Sequence, residues 1–475
     1  MNTEALLTLS AVEAVAAMVR GEVTAETYAT ALLRKCEATK SLNAFIALDP
    51  EWVLEAAREH DRQRRAGHAL GPLHGLPIPV KDSINTREFC TTAGTPALRN
   101  FRPRDDAPIV RALIDAGAFV LGKTNLHELS FGWTSNNLAF GAARNPYDPT
   151  RIPGGSSGGT AVAIASGMAP LGVAEDTQGS IRVPAALCGI VGFRPTTTRY
   201  PTAGAAPITA LFDQVGPMAR TVRDVALFDS VISGDWTAIE ERALVGVKLG
   251  VGRGYWFSGL DSEVERIVDE VLRKLQEAGA ELVLADIPNL ERLVALTTIP
   301  IQNHDLRAAL ANYLERYDAG VTFDDLVASA SADVRRDFAV GVLPGGRDFV
   351  TEAAYREACD IYLPALRESY KAYFANTGVA AIVFPTTMVP APRIGDDIEL
   401  MVRGRPVPFE TAISRNISPG STAGVPGLVL PAALTTEGLP VAIEIDGLAG
   451  ADRAVLALGM AIERLLGRLP PPPER

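Results

Sequence analysis

The stretch "EDTQGSIRVPAALCGIVGF", Glu175 to Phe193, sets a serine behind a polar turn and directly before an apolar helical run. Ser180 has two readings there. A serine can cap a helix, its side chain accepting from the first free N–H groups. It can equally be a nucleophile, because free backbone N–H groups ahead of a helix suit a developing oxyanion. The local pattern does not choose between the two, so the rest of the chain must.

Outward from this stretch, between about residues 70 and 235, strand-like runs such as "AFVLG" and "APLGVA" alternate with helical runs such as "APIVRALIDAG" and "GTAVAIASG". That alternation predicts an α/β architecture with a largely parallel central sheet. Residues 1–70 read as helical, beginning with an amphipathic helix that ends at Gly21 and is not a secretion signal. "VGVKLGVGR" and "ELVLADI" read as strands on either side of the helix "DSEVERIVDEVLRKLQEAGA". Residues 288–375 look like a helical elaboration placed to act as a lid. Residues 376–475 return to the sheet with "VAAIVFPT", "GLVLPAAL" and "LPVAIEI". No repeat or low-complexity linker interrupts the chain, so one domain is expected over residues 1–475.

Composition narrows the class of function. The 475 residues are 47% hydrophobic and 21% charged, as in an ordinary folded protein. A net charge of −11, with no run of Lys or Arg, argues against nucleic acid and anionic membranes as partners. No window has the roughly 18 uncharged apolar residues of a membrane span. The cysteines Cys36, Cys90, Cys188 and Cys359 lie far apart, which fits a reducing, cytoplasmic setting rather than a disulfide framework.

Several chemistries can be weighed on the residues. "GVGRGYWFSG", Gly250 to Gly259, lacks the third glycine of a dinucleotide loop, and "PGGSSGGT", Pro153 to Thr160, lacks the lysine of a phosphate loop. Gly154, Ser156 and Gly158 spell G-x-S-x-G, but loop sequence precedes them where a nucleophile elbow needs a strand. Of the five histidines, only His304 follows Ser156. His127 and Glu128 stand side by side and do not converge on one metal ion, so they read as partly buried polar residues. Serine chemistry without histidine remains. Its base would be a lysine kept neutral by burial. Lys81 ends the apolar run "LPIPVK" and so either enters a cleft or stands at a strand end in solvent.

Together "GLPIPVKDSIN", "PGGSSGGTAVAIASG" and "EDTQGSIRVPAALCGIVGFRPT" resemble the amidase signature family of serine hydrolases. Lys81 precedes Ser156 by 75 residues and Ser156 precedes Ser180 by 24, in agreement with that family. "GAFVLGKTNLHELSFG", "NPYDP", "FPTTMVPAPRIG" and "NISPGSTAGVPGLVLPA" extend the resemblance over most of the chain, residues 288–375 excepted. It implies the family's fold, a single large domain whose mixed, largely parallel sheet is covered by helices on both sides. It implies Ser180 as nucleophile forming an acyl-enzyme, Ser156 after a cis peptide as proton relay, and Lys81 as base. The N–H groups of Thr177, Gln178, Gly179 and Ser180 would form the oxyanion hole. No cofactor and no metal is implied.

The sequence departs from the family at Gln178, where glycine or alanine is usual. Low-strain backbone angles are expected there, with the side chain turned away from the attacked carbonyl. "SFGWTSNN" and "FRPTTTRYPTAGAAPI" look most like members that take small aryl or arylalkyl amides, with ester, anilide and carbamate cleavage also open. Phe131, Trp133, Gly155, Ile208, Leu211 and Phe212 are the candidate substrate contacts, each with ordinary core packing as the competing reading. The expected partner is a small-molecule amide or carbamate, and a homodimer stays open. The rival readings are an A-type subunit of a glutamine amidotransferase complex and a non-catalytic binding protein that keeps the fold.

Overall fold

In the computed structural model, which describes residues 2–473, the run "LPIPVK" is a strand buried along its whole length. Its apolar residues have cover on both faces, as expected of a strand inside a helix-flanked sheet. Eleven strands make this sheet: β1 (Phe45–Ala47), β2 (Leu76–Lys81), β3 (Ala118–Thr124), β4 (Leu171–Asp176), β5 (Val191–Arg194), β6 (Gln214–Ala219), β7 (Lys248–Val251), β8 (Glu281–Leu284), β9 (Ala381–Pro385), β10 (Gly427–Leu434) and β11 (Pro440–Asp446). Their spatial order is β1-β3-β2-β4-β6-β5-β10-β11-β9-β7-β8. The sheet is mixed. Parallel pairing joins β2 to β3 and β4, and β7 to β8 and β9. Antiparallel ladders link these blocks from β4 through β6, β5, β10 and β11 to β9.

Helices cover both faces. The helices that matter below are α1 (Gly158–Ala165), α2 (Arg182–Cys188), α3 (Leu290–Arg316), α4 (Ser418–Ala423) and α5 (Asp452–Leu466). On β10 the Leu428 side chain meets Gly459 of α5, whereas the adjacent Gly427 faces Arg182 of α2. Neighbouring strand residues point to opposite faces, so α2 and α5 lie on opposite sides of the sheet.

Two local expectations change. The N-terminal helix is split into Thr3–Thr8 and Ala11–Arg20, because Ser10 and Glu13 form a reciprocal capping box that starts the second piece. Gly21 closes that piece in the left-handed conformation, as expected. Residues 1–70 are not purely helical either, since Phe45–Ala47 joins the sheet edge antiparallel to β3. A three-residue edge strand has too short a pattern to stand out from loop sequence. Residues 288–375 are helical as expected, led by the 27-residue α3, which contains Pro300. The region is tied to the loops beneath it: Tyr313 Oη donates to Asn85 Oδ1 at 2.5 Å, and the Ser331 N–H donates to Glu128 Oε2 at 3.0 Å.

Parallel pairing decides where the polar groups gather. Val80 of β2 lies opposite Val173 of β4, so Lys81 and the pair Glu175–Asp176 leave the sheet at the same edge. The carboxyl ends of parallel strands are the usual place for a site in an α/β sheet.

Candidate active site

Lys81 is wholly buried, which settles the two readings of its strand end in favour of the cleft. Its Nζ donates to Ser156 Oγ at 2.6 Å and to Glu175 Oε1 at 2.6 Å. Burial pushes the lysine down from its ordinary range, against the upward pull of the Glu175 carboxylate. Ser83 Oγ lies 3.3 Å from the same carboxylate oxygen.

Ser156 sits in a loop pinned by backbone bonds. Its carbonyl accepts from the His127 N–H at 3.0 Å and from Ser135 Oγ at 3.1 Å, and the Gly155–Ser156 peptide is cis. A Cβ on Gly155 would come within 3.0 Å of the backbone of Trp133, Thr134 and Ser135, so only glycine fits beneath that strand of chain. The Ser157 N–H donates to the Ser180 carbonyl at 3.2 Å, which lashes this loop to the quoted stretch.

Ser180 is not a helix cap. The N-cap of α2 is Ile181, without a side-chain cap bond, and Ser180 Oγ makes no hydrogen bond among the described residues. The serine is 4% exposed. Of the four expected oxyanion donors, the N–H groups of Thr177, Gln178 and Ser180 meet no acceptor among the described residues. Gly179 is the correction. Its N–H donates to Asp176 Oδ1 at 2.7 Å and so is already occupied within the turn that Gly179 continues at φ +94°. Gln178 has no positive φ, and the unusual angle falls on the glycine after it. Its carbonyl accepts from Trp133 Nε1 at 2.9 Å, and its Oε1 lies 3.5 Å from Ser418 Oγ on α4.

Beneath the turn lies a buried charge cluster. Asp176 also accepts from the Ile181 N–H at 3.1 Å and from Arg182 Nε at 3.0 Å. Arg182 Nη1 reaches Glu444 at 2.6 Å. Burial works to raise Asp176, but Arg182 and Arg194 outweigh it and leave the carboxyl below its usual range. Beside the turn, Asp213 accepts from Thr177 Oγ1 at 2.6 Å and from the Ile208 N–H at 2.9 Å. Burial pushes Asp213 up to about 7.

The candidate substrate residues do not form one wall. Phe131 and Ile208 join the apolar cluster of Phe338 and Leu306, with Phe131 and Phe338 edge to face at 5.3 Å. Leu211 and Phe212 pack with Ile301 and Leu363, and Phe212 is fully buried. Trp133 and Leu211 keep partial exposure, as does Phe131. His127 and Glu128 are buried polar residues, as read from the sequence.

Sequence reasoning missed Glu175, Asp213 and a second buried lysine. Lys123 Nζ donates to the Ile84 carbonyl and to Thr91 Oγ1, both at 2.7 Å, and lies 3.3 Å from Asp82. Like Lys81 it sits in an all-apolar strand run, "AFVLGK", and that shared signal could have marked it.

A strand-end lysine, a serine in a glycine loop and a second serine at a tight turn gather where β2 and β4 end. The sequence matches the family described as Amidase over residues 28–456. It is 40% identical over 435 residues to an indoleacetamide hydrolase of Agrobacterium vitis, covering 92% of each chain. It is 38% identical to a mandelamide hydrolase of Pseudomonas putida, covering 99% of this chain and 94% of that one. The native peptide amidase of Stenotrophomonas maltophilia superposes with a TM-score of 0.82 at 29% identity, covering 98% of both chains. The chain belongs to the amidase family, hydrolases of amide C–N bonds.

Proposed function

We propose that this amidase cleaves small aryl or arylalkyl amides through an acyl-enzyme on Ser180, with Lys81 as base and Ser156 as relay. The observation that carries this reading is the 2.6 Å contact of a fully buried Lys81 Nζ with Ser156 Oγ, in a loop bonded to Ser180. An amide needs an activated nucleophile, a proton for its leaving nitrogen and stabilisation of the developing charge. A lysine disfavoured as ammonium by burial accepts the Ser156 proton while Ser156 takes the proton of Ser180. Ser180 Oγ then bonds to the carbonyl carbon as the carbonyl pair moves onto oxygen. The free N–H groups of Thr177, Gln178 and Ser180 receive that oxygen, and the proton on Lys81 returns through Ser156 to the nitrogen as the C–N bond breaks.

The substrate class rests on relatives whose names specify indoleacetamide and mandelamide, each an amide on a short arm from an aromatic ring. The Trp133 backbone lies against Gly155 of the Ser156 loop, and Trp133 and Phe131 both keep partial exposure. Phe131→Ala is expected to raise KM for aryl amides more than it lowers kcat, as measured by ammonia release. The same route serves esters and carbamates, and a cytoplasmic location suits four unpaired, dispersed cysteines.

The deciding assay is ammonia release from indole-3-acetamide, mandelamide, an anilide, a carbamate and glutamine, with Ser180→Ala as control. Turnover of the aryl amides that Ser180→Ala lowers by about 10³-fold or more is the expected result. Release from glutamine alone, and only with a partner protein, would place the chain with the amidotransferase subunits. No release from any substrate would leave a binding protein of the same fold.

A further inference from the structure

Resting on the reading of Lys81 as base, we infer that Glu175 is its positioning residue, a carboxylate that holds Nζ against Ser156. The geometry is direct. Glu175 is 5% exposed, and its Oε1 accepts from Nζ at 2.6 Å. One amine therefore spans two oxygens, and the carboxylate anchors it beside the relay serine.

The electrostatic need is equally plain. A lysine buried in low dielectric with no counter-charge becomes neutral but also too weak a base to draw a proton from a hydroxyl. A carboxylate in contact restores basicity in part. The other groups facing Lys81 are Asp176 on the same strand, Asp213 ahead of β6, and His127 beyond β3. Asp176 is committed to Arg182 and Asp213 to Thr177, and burial holds the His127 imidazole down at about 4, leaving it neutral. Among the described residues, Glu175 is the one carboxylate that touches the amine.

Glu175 also lines a cavity of about 220 Å³ between residues 202–207 and α3, which reaches the surface beside Asn312 and Arg316. Asp213 lines the same cavity, but burial pushes its carboxyl up to about 7, which leaves Glu175 as the carboxylate in contact with the amine.

The test is the rate at which a fluorophosphonate labels the full chain as a function of pH, a measure of nucleophile activation independent of substrate. Ser180→Ala must abolish labelling; labelling that persists in that variant would remove the Ser180 reading and this inference together. Given that control, Glu175→Gln is expected to shift the acid limb of the rate profile down by about one pH unit or more and to lower its plateau, because the ammonium loses its counter-charge. Glu175→Asp, whose carboxylate withdraws by one methylene, is expected to shift the limb less in the same direction, and it decides the matter if the glutamine variant does not fold. A limb coincident with that of the unmodified protein, in whichever variant unfolds cooperatively, overturns the inference and leaves the Ser180 reading intact. A purely structural role for Glu175 would lower the unfolding temperature without moving the limb, and it too would overturn it.

Discussion

Gly179 shows how far a single residue without a side chain governs the site. Its φ of +94° turns the chain toward Ser180 while its N–H bonds Asp176, and the N–H groups on either side meet no acceptor among the described residues. A Cβ there would lie 1.8 Å from Ile417 Cδ1. Gly179→Ala therefore carries two separable penalties, a backbone strain of about 1–3 kcal/mol and a steric clash. The expected outcome is lost fluorophosphonate labelling and lowered stability to denaturant. Adding Ile417→Ala should recover part of the stability but not the labelling, since it relieves the clash and leaves the backbone strain. Equal recovery of both would mean that the turn geometry is unimportant.

At the scale of the element, the short helix α2 is held by its charges rather than by its length. Seven residues cannot sustain a helix in water. Arg182 replaces the missing stability by bonding Asp176, Glu444 and Ser421 at once, fully buried. Removing one partner of such a set strands the others. Arg182→Leu is expected to cost about 3–5 kcal/mol in urea unfolding and to abolish labelling, because Asp176 then no longer fixes the turn. A loss below about 1 kcal/mol would contradict the role given to the cluster, being what an exposed ion pair provides.

Across the whole molecule, buried neutral imidazoles set a limit on acid stability. Burial pushes His60, helped by the neighbouring His74, and His127 each down to about 4. In the unfolded chain both titrate near 6.5. Between these values the unfolded state binds more protons than the folded one, so stability falls as pH drops from about 6.5 to about 4. Below that window these two groups add no further loss. Asp213, whose carboxyl burial pushes up to about 7, acts in the opposite sense over this interval, so the histidine contribution is read as the difference in melting temperature between the protein and its His127→Gln variant; a difference that does not change between pH 6.5 and 4 would contradict the assignment. Aspartate 176 acts in the same sense as the histidines at lower pH, because its depressed carboxyl contributes stability above its unfolded value that is lost as it protonates.

The identities of Lys81, Ser156 and Ser180 were readable because each lies in a motif whose residue types and separations are local facts of the chain. The α/β class was readable for the same reason, since strand and helix periodicities are short-range. The capping box of Ser10 and Glu13 was equally local and could have been found. Glu175 was visible only as the first letter of a motif. Its contact with Lys81 depends on β2 and β4 running parallel in a register that sends Lys81 and Glu175 out at one end of the strands. The engagement of Gly179, the pairing of Lys123 with Asp82 and the split of the aromatic residues between two clusters likewise required the fold. Residue types and spacing along a chain specify which groups are present. Which of them share a low-dielectric volume, and so which charges meet, is decided by packing between segments remote in sequence.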